Sequence, residues 1–189
     1  TPANPSLEYK MLCMTALAAQ SLLIESRAAS EPEQLARCFA SDCPRGAVIY
    51  LVGELGSGKS TFARALLKEL GAAGPIKSPT YTLVETYALQ NGLEAVHMDL
   101  YRIADPDEID YLALDAFADK LQIMLVEWPE KGDGHLPAAD ILINFEYCDD
   151  ARRLGVLSCS ESGRQWLGEV VRAEPKQWLN KAERPIINT

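Results

Sequence analysis

The sequence predicts an α/β protein with three layers, in which helices cover a mainly parallel central sheet that also carries antiparallel strands. Two observations predict this fold. An apolar run over residues 47–52 leads into a glycine-rich segment, residues 53–60, and then into a helical pattern over residues 61–70. Further along the chain, short apolar runs of strand length alternate with helical patterns. Such alternation is typical of a sheet with parallel strands joined by helices.

The glycine-rich segment fits the phosphate-loop pattern G-x-x-x-x-G-K-[ST] at every fixed position. Its glycines allow backbone N–H groups to point at phosphate oxygens, and the start of the next helix adds partial positive charge. We expect Lys59 to contact the β- and γ-phosphates of ATP and the Ser60 hydroxyl to bind Mg²⁺. The sequence thus predicts a P-loop NTPase-like fold. The predicted ATP-binding residues are Gly53, Glu54, Leu55, Gly56, Ser57, Gly58, Lys59, Ser60 and Thr61.

Composition limits the possible classes of protein. The chain has 189 residues, of which 48% are hydrophobic, and this suits a single domain over residues 1–189 with a full core. The formal net charge of −9 is unlike that of a nucleic-acid-binding protein, so any role on RNA is expected to be indirect, through a partner. No C-x-x-C pair occurs among the five cysteines, so a zinc site is not indicated.

Both ends of the chain differ from the middle. We expect residues 1–23 to form an N-terminal extension and residues 174–189 to form a mobile tail. The apolar stretch over residues 11–24 is too short to span a membrane, so no membrane association is expected. Because a phosphate loop uses intracellular ATP and Mg²⁺, we expect a cytoplasmic protein.

The elements before and around the loop follow from local signals. A first strand is expected near residues 22–24. Ser30 and Glu33 have the spacing of a capping box, which predicts a helix that ends before Gly46. The helix after the phosphate loop is expected to end at Gly71.

A hairpin and a further helix are predicted next. Residues 81–87 and 93–99 have strand composition, and Asn91-Gly92 between them is a turn signal. Pro106 and Glu108 mark a helix start. The apolar stripe of that helix would be Ile109, Leu112, Ala113, Ala116 and Phe117.

The last part of the chain predicts three strands and a helix. Residues 121–127 form an apolar strand that Trp128-Pro129 ends. Alternation over residues 141–147 and an apolar run over residues 154–157 indicate a closing pair of strands. Trp166, Leu167, Val170 and Val171 then have the spacing of an amphipathic helix.

Two acidic residues end predicted strands. Asp99 and Glu127 each follow an apolar run, and ligands of open α/β sheets bind beyond the carboxyl ends of strands. With Lys59 they are the candidate catalytic residues, and with Ser60 they are the candidate Mg²⁺ ligands. Glu127 fits the metal-holding acid best, and Asp99 is the second candidate, as metal support or to orient water. Each acid has the alternative of being only a solvated strand end.

Four further residues are candidates for a switch or a partner contact. Thr80 follows a connector with glycine and proline, where GTPase-like proteins place a threonine that senses the γ-phosphate; a turn residue is the alternative. Tyr101 and Arg102 closely follow Asp99, and Arg102 is a candidate for phosphate contact or a surface ion pair. Trp128 is a candidate for nucleotide or partner contact, or for core packing. His97 alternates with apolar neighbours, so we interpret it as a residue that packs in the core.

Together these motifs resemble the bacterial TsaE family, also called YjeE, over about residues 30–147. The four matching blocks occur in the family's order, and the second and fourth are more specific than the phosphate loop. They are GELGSGKSTF (53–62), KSPTYTLVE (77–85), HMDLYR (97–102) and VEWPE (126–130).

The resemblance implies a small P-loop ATPase that works with TsaB and TsaD homologues. Together these proteins install threonylcarbamoyl on the adenosine beside the anticodon of tRNAs that read codons beginning with A. It implies ATP and Mg²⁺ as cofactors, with Lys59 and Ser60 on phosphate and metal. It also places Asp99 and Glu127 at the metal and the attacking water. The transfer chemistry would belong to TsaD, and tRNA would be contacted only through the complex.

Two other functions are compatible with the same loop. A free-standing small-molecule kinase would also need an acceptor pocket and usually an arginine-bearing lid. A nucleotide-dependent scaffold would bind ATP and barely hydrolyse it. Because no arginine is evident for the site from the sequence, we expect slow ATP hydrolysis that the partner proteins stimulate.

Overall fold

A computed structural model describes residues 21–26, 31–112, 122–132, 134–148 and 151–173. Most of the expected N-terminal extension, residues 1–20, and the expected tail lie outside these residues. So does the part of the predicted apolar stripe beyond Leu112.

The described strands form one seven-stranded sheet. They are β1 (Ser21–Ser26), β2 (Val48–Gly53), β3 (Val84–Ala88), β4 (Glu94–Asp99), β5 (Ile123–Glu127), β6 (Ile141–Cys148) and β7 (Ala151–Ser158). Their order in the sheet is β1-β7-β6-β2-β5-β4-β3. The four central strands, β6, β2, β5 and β4, are parallel, whereas the pairs β1/β7, β7/β6 and β4/β3 are antiparallel. The predicted mixture of parallel and antiparallel strands is therefore confirmed, with the parallel part at the centre.

Three α-helices among the described residues pack on one face of the sheet. They are α1 (Glu31–Ser41), α2 (Lys59–Glu69) and α3 (Glu161–Ala173). Phe39 of α1 is fully buried and makes edge-to-face contacts with Phe62 of α2 and Trp166 of α3, at ring-centroid distances of 6.1 and 5.0 Å. The Trp166 indole N–H donates to the Phe39 carbonyl over 3.1 Å. This aromatic contact fixes α2, and therefore the phosphate loop at its N-terminus, against the sheet.

The other face of the sheet is covered differently in the described residues. Its apolar side chains pack against two 3₁₀ helices, Pro106–Leu112 and Pro129–Gly132, and the loops around them. The helix predicted near residue 105 does start there. Over the described residues it is a 3₁₀ helix, so the prediction of an α-helix is wrong for this part. Glu108 accepts hydrogen bonds from the N–H groups of Ala104 and Asp105 at 3.0 Å, as a capping residue does.

One predicted strand limit is also wrong. The strand expected from residue 81 begins at Val84, because residues 80–83 form a turn in which Leu83 has a φ of 64°. The Leu83 N–H donates to the Pro79 carbonyl over 2.7 Å, and the Leu83 carbonyl accepts from the Asp99 N–H over 3.0 Å.

The first strand predicted near residues 22–24 is confirmed as edge strand β1, where Leu22 is buried. This strand overlaps the end of the segment expected to form the N-terminal extension.

Within the described residues, no helix has the length and apolar character needed to cross a membrane.

Candidate functional site

The segment between β2 and α2 has the backbone shape of a phosphate loop. Gly53 and Gly58 have φ angles of 144° and 116°, which L side chains rarely adopt. A Cβ atom on Gly53 would also lie 2.4 Å from the Phe145 carbonyl oxygen of the neighbouring strand. Gly58 is the residue before the first turn of α2. These two positions therefore require glycine for the loop to turn into the helix.

Lys59 is buried at the first turn of α2 and points back over the loop. Its Nζ atom donates to the carbonyl oxygens of Gly53 and Glu54, at 2.6 and 2.8 Å, and lies 4.1 Å from the centre of the Trp128 ring. An ammonium group has three N–H donors, so one is left for another acceptor. Burial lowers the pKa of Lys59, and nearby carboxylates, Glu127 first among them, oppose this shift.

The two candidate acids end adjacent parallel strands at the same level. Asp99 of β4 is the register partner of Glu127 of β5, and Glu127 is the partner of Leu51 of β2. The phosphate loop starts two residues after Leu51. Both acids are almost fully buried, with exposed fractions of 4% and 2%. The sheet register therefore brings both acids to the edge from which the phosphate loop leaves.

Glu127 joins the loop to the sheet. Its Oε2 atom accepts a hydrogen bond from the Ser60 hydroxyl over 2.8 Å. Its Oε1 atom is 2.8 Å from Nε2 of His97, which is fully buried. Ser60 and Glu127, which were both predicted to hold Mg²⁺, are thus in direct contact.

Asp99 is connected to the connector that follows α2. Its Oδ2 atom accepts from the Thr80 hydroxyl over 2.8 Å, and its Oδ1 atom accepts from the Tyr101 backbone N–H over 3.1 Å. The Ser78 and Thr80 hydroxyl oxygens are 2.9 Å apart. The turn over residues 80–83 brings Thr80 next to Asp99. The same turn delays the start of strand β3.

Trp128 forms a wall of the site in a strained backbone conformation. Its φ of 59° is unusual for a bulky residue. The backbone N–H of Trp128 donates to the Leu51 carbonyl over 3.3 Å, and its ring lies 5.1 Å from that of Tyr101. Strain of this kind is commonly found at functional sites.

A cavity of about 240 Å³ lies where these groups meet. Most of the predicted site residues line it: Leu55, Gly56, Ser57, Gly58, Lys59, Ser60, Thr61, Thr80, Asp99, Tyr101, Glu127 and Trp128. Arg102 does not; its guanidinium lies 5.5 Å from the centre of the Tyr81 ring. Gly53 and Glu54 line a neighbouring cavity of about 530 Å³ instead.

The sequence analysis missed several groups at these cavities. Arg64 also lines the smaller cavity and has no ion pair among the described residues; its position four residues after Ser60, one turn along α2, was the signal that could have found it. Glu130 faces Lys59 from the 3₁₀ helix after Trp128, and burial raises the pKa of its carboxyl group. The Tyr147 hydroxyl donates to the Gly56 carbonyl and so holds the loop from β6.

The residues around the smaller cavity fit a phosphate chain and a magnesium ion. Ser57 Oγ is buried and has no hydrogen-bond partner among the described residues, as expected of a hydroxyl that faces a phosphate oxygen. The oxygen donors of Ser60, Asp99 and Glu127 are of the hard type that Mg²⁺ prefers. Within the described residues, no cluster of three or more His, Cys, Asp or Glu forms a protein-only metal site.

Comparisons with known proteins show to which family the chain is similar. Residues 26–154 match the family model described as threonylcarbamoyl adenosine biosynthesis protein TsaE. The tRNA threonylcarbamoyladenosine biosynthesis protein TsaE of Haemophilus influenzae is 45% identical over 117 residues, which are 62% of this chain and 73% of that protein. The protein of the same description from Bacillus subtilis is 32% identical over 123 residues, 65% of this chain and 76% of that one.

A solved structure shows the same fold. The crystal structure of Bacillus subtilis YdiB superposes with a TM-score of 0.69 at 25% sequence identity, and the match covers 83% of this chain and 98% of YdiB. The family match includes the phosphate loop, both strand-end acids and the Thr80 connector. The chain therefore belongs to the TsaE family of threonylcarbamoyl adenosine biosynthesis proteins.

Proposed function

We propose that this chain is the ATP-binding and ATP-hydrolysing subunit that acts with TsaB and TsaD homologues in threonylcarbamoyl modification of tRNA. The modified base would be the adenosine beside the anticodon in tRNAs that read codons beginning with A. The observation that carries the proposal is the convergence of Lys59, Ser60, Thr80, Asp99 and Glu127 on one cavity at the end of the parallel sheet. Family membership supports this function over that of a free-standing kinase.

The phosphates would bind in the smaller cavity. There the loop N–H groups, the start of α2 and the free N–H of Lys59 supply positive charge for the β- and γ-phosphates. The larger neighbouring cavity shares Leu55, Tyr101 and Trp128 with the smaller one, but its other lining includes Glu54, Glu130 and Glu146. Such a negative lining disfavours phosphate, so an uncharged part of the ligand is the better occupant there.

Ser60, Glu127 and Asp99 would hold the metal and the attacking water. The chemistry that Mg²⁺ would supply there is neutralisation of the negative charge that develops during phosphoryl transfer. Glu127 fixes the Ser60 hydroxyl by accepting its hydrogen bond. Asp99 has one carboxylate oxygen on Thr80 and one on the Tyr101 N–H, so its position depends on the connector that carries Thr80. Catalysis by such a site consists mainly of positioning and charge neutralisation.

The chain would couple its nucleotide state to its partners through the Thr80 connector. Thr80 lies between the cavity and an exposed surface that includes Tyr81, which is 85% exposed. A γ-phosphate contact that orders such a segment is a known form of nucleotide switch. Arg64 lines the cavity, so the chain already has an arginine there. We therefore attribute stimulation by the partners to the Thr80 connector and not to an arginine that a partner supplies.

The acidic net charge is consistent with tRNA being held by the complex and not by this chain alone. A cytoplasmic location and a single domain over the whole chain belong to the same proposal.

A reconstitution experiment tests the function. We expect the purified chain to release inorganic phosphate from ATP slowly, and TsaB and TsaD homologues to raise the rate several-fold or more. Threonylcarbamoyl transfer to tRNA should require all three proteins. Formation of ADP with a phosphorylated metabolite in place of inorganic phosphate would indicate a kinase. Tight ATP binding with no turnover under any condition would indicate a scaffold.

Thr80→Ala is expected to uncouple ATP from assembly. The variant loses the hydroxyl contacts to Asp99 and Ser78 but keeps Lys59 and the loop N–H groups, so ATP affinity should change less than the coupling does. ATP should strengthen binding of the TsaB–TsaD pair to the wild-type chain, because linkage between two binding events is reciprocal. In the variant that effect should fall by about fivefold or more.

Thr82→Ala is the matched control for this variant. Thr82 belongs to the same turn, but its hydroxyl bonds to Glu85 on the exposed side. Affinities of the pair with ATP, with ADP and without nucleotide give the comparison. Equal ATP effects in the wild type and Thr80→Ala would remove Thr80 from the switch.

A further inference from the structure

We propose that His97 is a positioning residue that orients the Glu127 carboxylate for the metal and the attacking water. The inference rests on the proposed function of the same site. It replaces the interpretation of His97 as a core residue, which the alternation of β4 suggested.

The contact between His97 and Glu127 is direct and buried. Nε2 of His97 lies 2.8 Å from Oε1 of Glu127, and the exposed fractions of the two side chains are 0% and 2%. The other Glu127 oxygen accepts from the Ser60 hydroxyl. A carboxylate can only accept, so the imidazole donates its Nε2–H to Oε1. Glu127 is thereby fixed through both oxygens, one on the sheet and one on the phosphate loop.

His97 lies among apolar side chains, so packing alone does not explain why this residue is polar. On the same face of β4 and β5, Ala95, Ile123 and Leu125 pack in the core under α2. Nδ1 of His97 is buried without a hydrogen-bond partner among the described residues. An unpaired buried nitrogen lowers the stability of the fold. If His97 served only to fill space, an apolar residue would do so without this cost. The gain lies in the Glu127 contact.

The His97–Glu127–Ser60 series resembles the support that metal-site ligands receive in other proteins. A ligand held by a second hydrogen bond has one orientation, and removing that bond typically costs 10–100-fold in metal affinity or activity. Without His97, the Glu127 carboxylate could rotate about its last torsion and lose its bond to Ser60. His97 would itself touch neither nucleotide nor metal.

Two substitutions separate this role from simple packing. The glutamine side chain places its amide nitrogen about where Nε2 of histidine lies, whereas that of asparagine reaches only to the position of Nδ1. His97→Gln should therefore keep most of the activity, and His97→Asn should lower kcat by about 10–100-fold with little change in KM. His135→Asn is the control, because His135 makes its contacts with Asp110 and Asp107 at the surface.

A readout independent of turnover is the affinity for the metal. Mn²⁺ binding to the chain with ADP, followed by electron paramagnetic resonance, should weaken about 10–100-fold in His97→Asn and little in His97→Gln. ADP binding without metal should be equal in all variants. Adding His97→Asn to Glu127→Gln should cause no further loss, because a residue that acts through Glu127 has no effect once the carboxylate is gone.

The wild-type chain gives a test that does not depend on the folding of any His97 variant. Nitrogen NMR should show a proton on Nε2 of His97, with a signal that shifts in Glu127→Gln. A proton on Nδ1 but none on Nε2, normal Mn²⁺ affinity in folded His97→Asn, or an equal further loss in the Glu127→Gln background would overturn the proposal. The NMR and Mn²⁺ measurements hold even if the wild type shows no turnover, which would count against the proposed function alone.

Discussion

Lys59→Ala is expected to abolish detectable ATP turnover while the protein remains folded. Lys59 is the buried cation of the smaller cavity, and its Nζ atom has one N–H left after its bonds to Gly53 and Glu54. Removing a preorganised donor of this kind costs about 10²–10³-fold in rate. The loss of two carbonyl contacts in the loop adds to it. We therefore expect turnover below the background of a steady-state phosphate assay.

The fold should tolerate this change. Burial lowers the pKa of Lys59, which means that the folded protein holds the proton less well than the unfolded chain does. Keeping this ammonium charged inside the fold is therefore a cost to stability, and alanine removes that cost. The melting temperature should therefore fall little. The control is Lys68→Ala, a lysine exposed on the same helix. Turnover at the wild-type rate in folded Lys59→Ala would exclude this cavity as the active site.

The phosphate loop was predictable because its chemistry depends on local backbone conformation. Glycines at positions 53 and 58 are needed for positive φ, and both angles are observed. Asp99 and Glu127 were predictable as neighbours because parallel strands end at the same edge of a sheet. In both cases the local sequence and the fold agree, so reading short segments was sufficient.

Other features depend on contacts between distant segments. Tyr81 and Thr82 have strand propensity, but the bonds of Leu83 to Pro79 and Asp99 hold the segment in a turn. Tertiary contacts override β-propensity in this way. Alternation along β4 showed that His97 is buried but not that its ring meets Glu127, which depends on the register of two strands separated by residues 100–122. The 3₁₀ helix after Asp105 has the same start signals as an α-helix, so local signals could not separate the two.

Glu127→Gln is expected to lower ATP hydrolysis by about 10²–10⁴-fold, the range for losing a positioned catalytic acid or base. Glutamine keeps the length and shape of the side chain but removes its charge and one of its two acceptors. Either the Ser60 hydroxyl or the His97 N–H then faces an amide N–H₂ group that cannot accept its hydrogen bond. The Mg²⁺ concentration needed for half-maximal activity should rise. ATP should still bind, because Lys59 and the loop N–H groups are unchanged.

Glu130→Gln is the control that separates this effect from a general loss of negative charge near Lys59. Glu130 is also close to Lys59 and partly buried, but it lines the larger cavity and does not contact Ser60. Because Glu130 lines the larger cavity and Glu127 lines the smaller one, neutralising Glu130 should change hydrolysis far less than neutralising Glu127 does. Phosphate release and ATP binding are measured for both variants over a range of Mg²⁺ concentrations. If Glu127→Gln hydrolysed ATP at the wild-type rate, the catalytic carboxylate would have to be Asp99, the only other candidate acid that lines the smaller cavity in the described structure.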